Sequence, residues 1–150
     1  MKNALFLLTL LLLSGCKPTA KPIEYGADVC AYCKMTIVGR QHGAEVVTKK
    51  GRVYKFDAIE CLVNYIAQQS AEPFALFLVN DYMLPGELID ARTATYLISR
   101  GVPSPMGAFL SGFGDEADAR AVQASKGGGL YSWEQLQRLR QDKGFLGPAE

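Results

Sequence analysis

Residues 44–69 read AEVVTKKGRVYKFDAIECLVNYIAQQ, and the rest of the chain is read outward from them. Ala44 to Thr48 and Val53 to Phe56 are short β-prone runs either side of Lys49-Lys50-Gly51-Arg52, the pattern of a hairpin. Asp57-Ala58-Ile59-Glu60 then has the spacing of an N-cap and its acidic partner. Ile59, Leu62, Val63 and Ile66 recur at helical spacing, which predicts a helix over residues 58–69. Pro73 ends any continuation. Phe74 to Val79, FALFLV, is a nearly unbroken apolar run and reads as a buried strand.

The following segments partly repeat that order. Pro85-Gly86 puts a turn within Asn80 to Glu87. The β-branched residues Ile89, Thr93, Thr95 and Ile98 favour strands within Leu88 to Ser99. Ala108 to Phe113 reads as a strand. Asp115 and Asp118 can cap and charge the start of a helix that ends near Lys126, with Gly127 as its stop. Gly129 to Tyr131 is a short strand. Ser132-Trp133-Glu134-Gln135 is a capping box that opens a helix with Leu136 and Leu139 on one face. Each half can be written as strand, helix, strand. The two halves share too little identity to mark a repeat, so this is an architectural hint only.

The chain has 150 residues, 49% hydrophobic and 21% charged, with a net charge of +1. That length suits one domain or two very small ones. Sixteen Lys and Arg against fifteen Asp and Glu argue against a nucleic-acid binder, which needs a basic excess. A single histidine, His42, excludes a site built from several imidazoles. The apolar content is unevenly spread. Residues 4–13, ALFLLTLLLL, follow Lys2 and precede Ser14-Gly15-Cys16, the layout of a secretory signal. The run is about half the roughly 20 residues that a spanning helix needs.

Leu13-Ser14-Gly15-Cys16 resembles a bacterial lipobox. The resemblance implies removal of residues 1–15 as a lipoprotein signal peptide and lipidation of Cys16. Lys17, where an Asp would favour inner-membrane retention, points to the outer membrane in a Gram-negative cell. Residues 16–27 then read as a lipidated tether, rich in Lys and Pro, and residues 28–150 as the domain. The chain from Cys16 onward carries fifteen charges of each sign and three further cysteines, an odd number for an oxidising compartment.

The chemistry lies in Asp28-Val29-Cys30-Ala31-Tyr32-Cys33-Lys34-Met35. Two thiols at this spacing can meet on one turn to hold an ion or close a disulfide. Met35 adds a thioether, and thiolate with thioether suits Cu(I) better than Mg²⁺ or Ca²⁺. Three other readings stand beside this one. Cys30 and Cys33 can form a structural or redox disulfide. Cys30, Cys33, Cys61 and His42 supply the residue types of a Cys₃His zinc set at irregular spacing. Met35 can be a core side chain. Cys61, on the expected helix, reads as a small buried hydrophobe. His42, in Arg40-Gln41-His42-Gly43, reads as a solvated turn residue. Met106 sits in Ser104-Pro105-Met106-Gly107, where no helix or strand periodicity places it. There the prolines fix an extended backbone and Gly107 permits close approach.

Cys16, then Asp28-x-Cys30-x-x-Cys33-x-Met35, Phe56-Asp57 with Cys61, Val79-Asn80-Asp81, Ile89-Asp90-Ala91 and Pro105-Met106-Gly107 before Ala108-Phe109 together resemble the NosL family. The resemblance covers essentially the whole chain after the signal. It implies an α+β fold of two small ββαβ-type modules packed together, similar to the organomercurial lyase fold, with modules at about 28–99 and 100–150. It also implies a membrane-anchored, extracytoplasmic Cu(I)-binding metallochaperone that serves nitrous oxide reductase and its maturation machinery. Cys30 and Met106 are the first choices as ligands. Cys33 and Met35 come second, and Asp28 is an oxygen ligand or an orienter. No nucleophile–base pair or paired-carboxylate site stands out, so no catalysis is expected. The alternative reading is an extracytoplasmic thiol-disulfide oxidoreductase using Cys30 and Cys33.

Overall fold

The computed structural model describes residues 17–70, 73–144 and 146–147. The expected signal peptide, residues 1–15, and the expected lipidation site Cys16 lie outside the described residues. The elements are β1 (Ala44–Thr48), β2 (Val53–Phe56), α1 (Ile59–Gln68), β3 (Phe74–Asn80), β4 (Leu88–Asp90), β5 (Thr95–Ile98), β6 (Leu110–Phe113), α2 (Glu116–Lys126), β7 (Gly129–Tyr131) and α3 (Trp133–Lys143). They form two antiparallel sheets, ordered β2-β1-β3-β4 and β6-β5-β7. Strand, strand, helix, strand therefore occurs twice, each time with the first strand at the centre. This is the mixed α+β architecture that the sequence pointed to. Sheet membership changes between Asp90 and Thr95. No helix among the described residues is long and apolar enough to cross a membrane.

The first sheet is anchored on β1, every residue of which is buried. Ala44 pairs with Phe56 on one side and Val79 on the other. Helix α1 packs against β1, β2, β6 and α3. Its first two turns are buried all round, from Ile59 to Asn64. Val46, Phe56, Ile59, Leu62, Val79, Tyr96, Leu110 and Leu136 therefore share one core. Leu97, Val102, Phe113 and Ala119 form a smaller cluster near α2. Asn64 holds the C-terminal tail, donating from Nδ2 to Leu146 O at 2.6 Å and accepting from Leu146 N at 2.9 Å.

Helices α2 and α3 start where their capping residues predict. Asp115 Oδ1 accepts from Ala117 N at 2.8 Å. Ser132 Oγ accepts from Gln135 N at 3.3 Å while Gln135 Oε1 accepts from Ser132 N at 2.7 Å. Ser132→Ala removes the serine half of that box and is expected to cost about 1 kcal/mol, read as a lower urea midpoint.

Two expectations need correction. Asp57 does not cap α1. The cap position is Ala58, with no side-chain bond, and Asp57 Oδ1 instead accepts from Val38 N at 3.4 Å. Residues 21–27 are not a loose tether. Lys21 N donates to Glu45 Oε1 at 2.9 Å, Ile23 is buried in the core, and Gly26 N donates to Ile37 O at 2.8 Å. Glu45 sits fully buried on the central strand and needs a donor, which this strap supplies.

Candidate metal centre

Residues 28–37 fold into a small hairpin. Val29 and Thr36 bridge, Cys30 N donates to Met35 O at 2.8 Å, and Lys34 N donates to Cys30 O at 3.1 Å. Lys34 takes a left-handed φ of 66° to close the turn. Ala31 N donates to Lys55 O at 2.8 Å, which hooks the hairpin to the free edge of β2. Cys30 is thereby carried inward to zero exposure, while Cys33 stays half-buried. Cys61, on the first turn of α1, faces them from the core at 1% exposure. The three Sγ atoms lie within 4.8 Å of one another, and none of the three is in a disulfide.

The three thiols are electrostatically unequal. The Cys61 thiol donates to Cys30, and the backbone N–H groups of Asp57, Cys33 and Tyr32 point at the same sulfur. Cys33 N lies 3.4 Å from it. Burial opposes these donors, and the balance holds the Cys30 thiol down at about 5. Donating to Cys30, together with burial, pushes Cys61 far above the ordinary thiol range. Burial raises Cys33. At neutral pH the cluster is therefore one thiolate beside two thiols, a soft site of single negative charge.

Met35 gives its carbonyl to the hairpin, and its side chain is 52% exposed. Met106 is half-buried against the main core. Its loop is tied to α1 beside Cys61: the Glu60 carboxylate accepts from Ser104 Oγ at 2.5 Å and from Ala108 N at 3.4 Å, and Met106 N also points at it. Asp28 stands outside the sulfur cluster. Its Oδ2 accepts from Lys55 Nζ at 2.6 Å and Glu24 N at 2.7 Å. Burial alone would raise this carboxyl, but those two donors hold it below its ordinary value. His42 is buried rather than solvated. Its Nε2 is 3.3 Å from Ser111 Oγ, its ring meets Tyr82 edge-on, and burial lowers its pKa. It does not join the three cysteines. Cys61 is the member that sequence reasoning undervalued. The usable signal was the odd cysteine left beside a C-x-x-C pair.

Comparison with known proteins follows the same line. A family model described as NosL matches residues 23–139. Over 139 residues the chain is 28% identical to a protein named copper-binding lipoprotein NosL from Stutzerimonas stutzeri, covering 83% of this chain and 73% of that one. The fold superposes on the crystal structure of the copper chaperone NosL from Shewanella denitrificans with a TM-score of 0.69 at 23% identity, covering 79% of this chain and 95% of the other.

Proposed function

The chain belongs to the NosL family, and from that premise we propose that it is a lipid-anchored, extracytoplasmic Cu(I) metallochaperone that supplies copper for assembly of nitrous oxide reductase. The observation that carries this reading is the meeting of the Cys30, Cys33 and Cys61 sulfurs within 4.8 Å. Copper binding is further supported by the copper-binding and chaperone names of its relatives. Those names describe no catalyst, in keeping with a carrier.

The cargo follows from charge and softness. One thiolate neutralises one Cu(I), so a loaded site with thioether or thiol co-ligands carries no net buried charge. Zn²⁺ bound there would need further deprotonation of thiols that burial keeps protonated. Cys30 is the anionic ligand. Met106, on the loop that Glu60 holds, is the proposed thioether ligand, Cys33 is the accessible second sulfur, and Cys61 is the donor that keeps Cys30 ionised. Met35 is an outer thioether for capture or exchange. Asp28 acts indirectly, by fixing Lys55 and so the strand edge that carries the hairpin. Cu(I) of low coordination number leaves when an incoming thiolate, thioether or imidazole adds before the old bond breaks. The half-buried Cys33 gives such a ligand its approach. The oxidoreductase alternative fits less well, because the thiol of low pKa is the fully buried one and the accessible thiol is protonated.

Anaerobic Cu(I) titration of the reduced chain, followed by native mass spectrometry, is expected to give one Cu(I) per chain. Met106→Ala is expected to weaken binding by roughly 10-fold or more, at least the lower end of what a supporting partner contributes. Zinc bound in place of copper, or unchanged Cu(I) affinity in both Cys30→Ser and Met106→Ala, would overturn the ligand assignment. Delivery is tested by mixing the loaded chain with copper-free nitrous oxide reductase. Copper is expected to move to the enzyme, and retention of copper by the chain would overturn the delivery step.

A further inference from the structure

Beyond residue 16 the charges balance, but they are not mixed. Residues 17–55 carry eight Lys and Arg against three Asp and Glu, whereas residues 56–150 carry seven against twelve. Two of the three acids in the first stretch are spent internally. Asp28 and Lys55 pair at 2.6 Å and cancel each other, and Glu45 is fully buried under the strap, which leaves seven cations against Glu24. Lys17, Lys21, Lys49, Lys50 and Arg52 are all exposed. Lys21, Arg52 and Lys55 line one open cleft of about 500 Å³ between the strap, the hairpin of residues 28–37 and the edge strand β2. Lys49 and Lys50 stand on the adjoining β1–β2 turn.

The position of the chain's entry selects what this face meets. The strap is fixed on the sheet from Lys21 onward by its bond to Glu45. From residue 16 to Lys21 there are five Cα steps, which span at most roughly 18 Å. A membrane anchor at residue 16 therefore lies no farther than that from the basic cleft, and the acidic half of the chain is away from it in sequence.

We propose that this face is a headgroup-binding surface for an anionic phospholipid bilayer, with the cleft receiving a headgroup phosphate between Lys21 and Arg52. The proposal rests on the anchoring part of the functional reading and is independent of the copper ligands. A single lipid tether leaves a domain free to tumble, whereas a cationic face beside it adds a second attachment and a fixed orientation. Each Lys or Arg at an anionic surface contributes roughly fivefold in binding constant, reduced by salt. The cleft is also lined by Asp28, Val29 and Ala31 of the cysteine hairpin, so seating it determines the side from which a partner protein reaches Cys33.

The test uses the full chain reconstituted on phosphatidylcholine vesicles with and without phosphatidylglycerol, read by hydrogen exchange at amides of the β1–β2 turn. Exchange is expected to slow at least tenfold on the anionic vesicles and to recover in high salt. Lys50→Glu combined with Arg52→Glu is expected to abolish the slowing and to lower anionic-vesicle affinity of the unanchored chain by at least roughly 25-fold. The same variant should keep the parent urea midpoint and Cu(I) stoichiometry. Equal exchange on the two vesicle types overturns the proposal. If the chain does not float with phosphatidylcholine vesicles, the anchor reading fails. Salt-sensitive flotation with phosphatidylglycerol vesicles alone then still supports the surface, and flotation with neither overturns it.

Discussion

Cys30→Ser is expected to reduce Cu(I) affinity by well over the roughly 10–100-fold that loss of a supporting partner costs a metal site. Cys30 carries the negative charge of the cluster, since the Cys61 thiol and nearby backbone N–H groups stabilise its thiolate and hold it at about 5. A serine hydroxyl is harder, and it is not ionised at neutral pH. Neither remaining thiol replaces it readily: the bond to Cys30 that raises Cys61 is lost in this variant, but burial still opposes ionisation of both Cys61 and Cys33. The pH profile follows from the same inequality. Protons compete with copper for Cys30 only as the pH falls toward 5, so a site using Cys30 with thioethers has an affinity that is flat between about pH 6 and 8. Each further cysteine that deprotonates on binding adds a tenfold rise in affinity per pH unit over that range. Competition against a Cu(I) chelator across pH reads both predictions. Undiminished affinity in Cys30→Ser would remove Cys30 from the site.

How legible these features were depends on how local their causes are. The β1–β2 hairpin and helices α2 and α3 were readable because their signals lie within a few residues: Lys49 to Arg52 for the turn, Asp115 and Gly127 for α2, Ser132 and Gln135 for α3. The misread positions are governed by contacts from distant sequence. Asp57 has the composition of a cap, but Val38 N takes its carboxylate. The strap, preceded by Pro18 and carrying Pro22, looks like a tether until the buried Glu45 is seen to need the Lys21 N–H. Cys61 on an apolar helix face cannot be told from a core residue until the hairpin docks on Lys55 O and brings Cys30 against it. His42, in a polar tetrapeptide, is enclosed by Ser111 and Tyr82 from other parts of the chain. The C-x-x-C hairpin itself was legible, because Cys30 and Met35 close it locally.

Glu60 sets the other large effect. Its side chain is wholly buried on the first turn of α1, where the sequence suggested the acidic partner of an N-cap. Oε1 accepts from Ser104 Oγ and Ala108 N, and Ser104 Oγ in turn accepts from Leu110 N at 3.3 Å. One carboxylate thus ties α1, the Met106 loop and the start of β6 together. Glu60→Ala orphans these donors, each costing about 1–3 kcal/mol when buried, and the expected loss of stability is about 3 kcal/mol in urea unfolding. Glu60→Gln keeps the Oε1 acceptor and separates shape from charge. Oε2 meets no donor among the described residues, and burial raises this carboxyl above its ordinary value of 4.5. The folded chain therefore keeps a proton that the unfolded chain releases, and the stability due to this group falls as pH rises from about 4.5 through the folded value. The stability of Glu60→Gln relative to the parent should rise across that same window and level off on either side. Glu45 and Asp57, whose carboxyls burial also raises, and His42, whose ring burial lowers, are common to both proteins and cancel in the comparison. If Glu60 positions Met106, Glu60→Ala should weaken Cu(I) binding about as much as Met106→Ala, and the double variant should weaken it no further. Full additivity of the two losses would show that Glu60 supports the fold without placing the thioether.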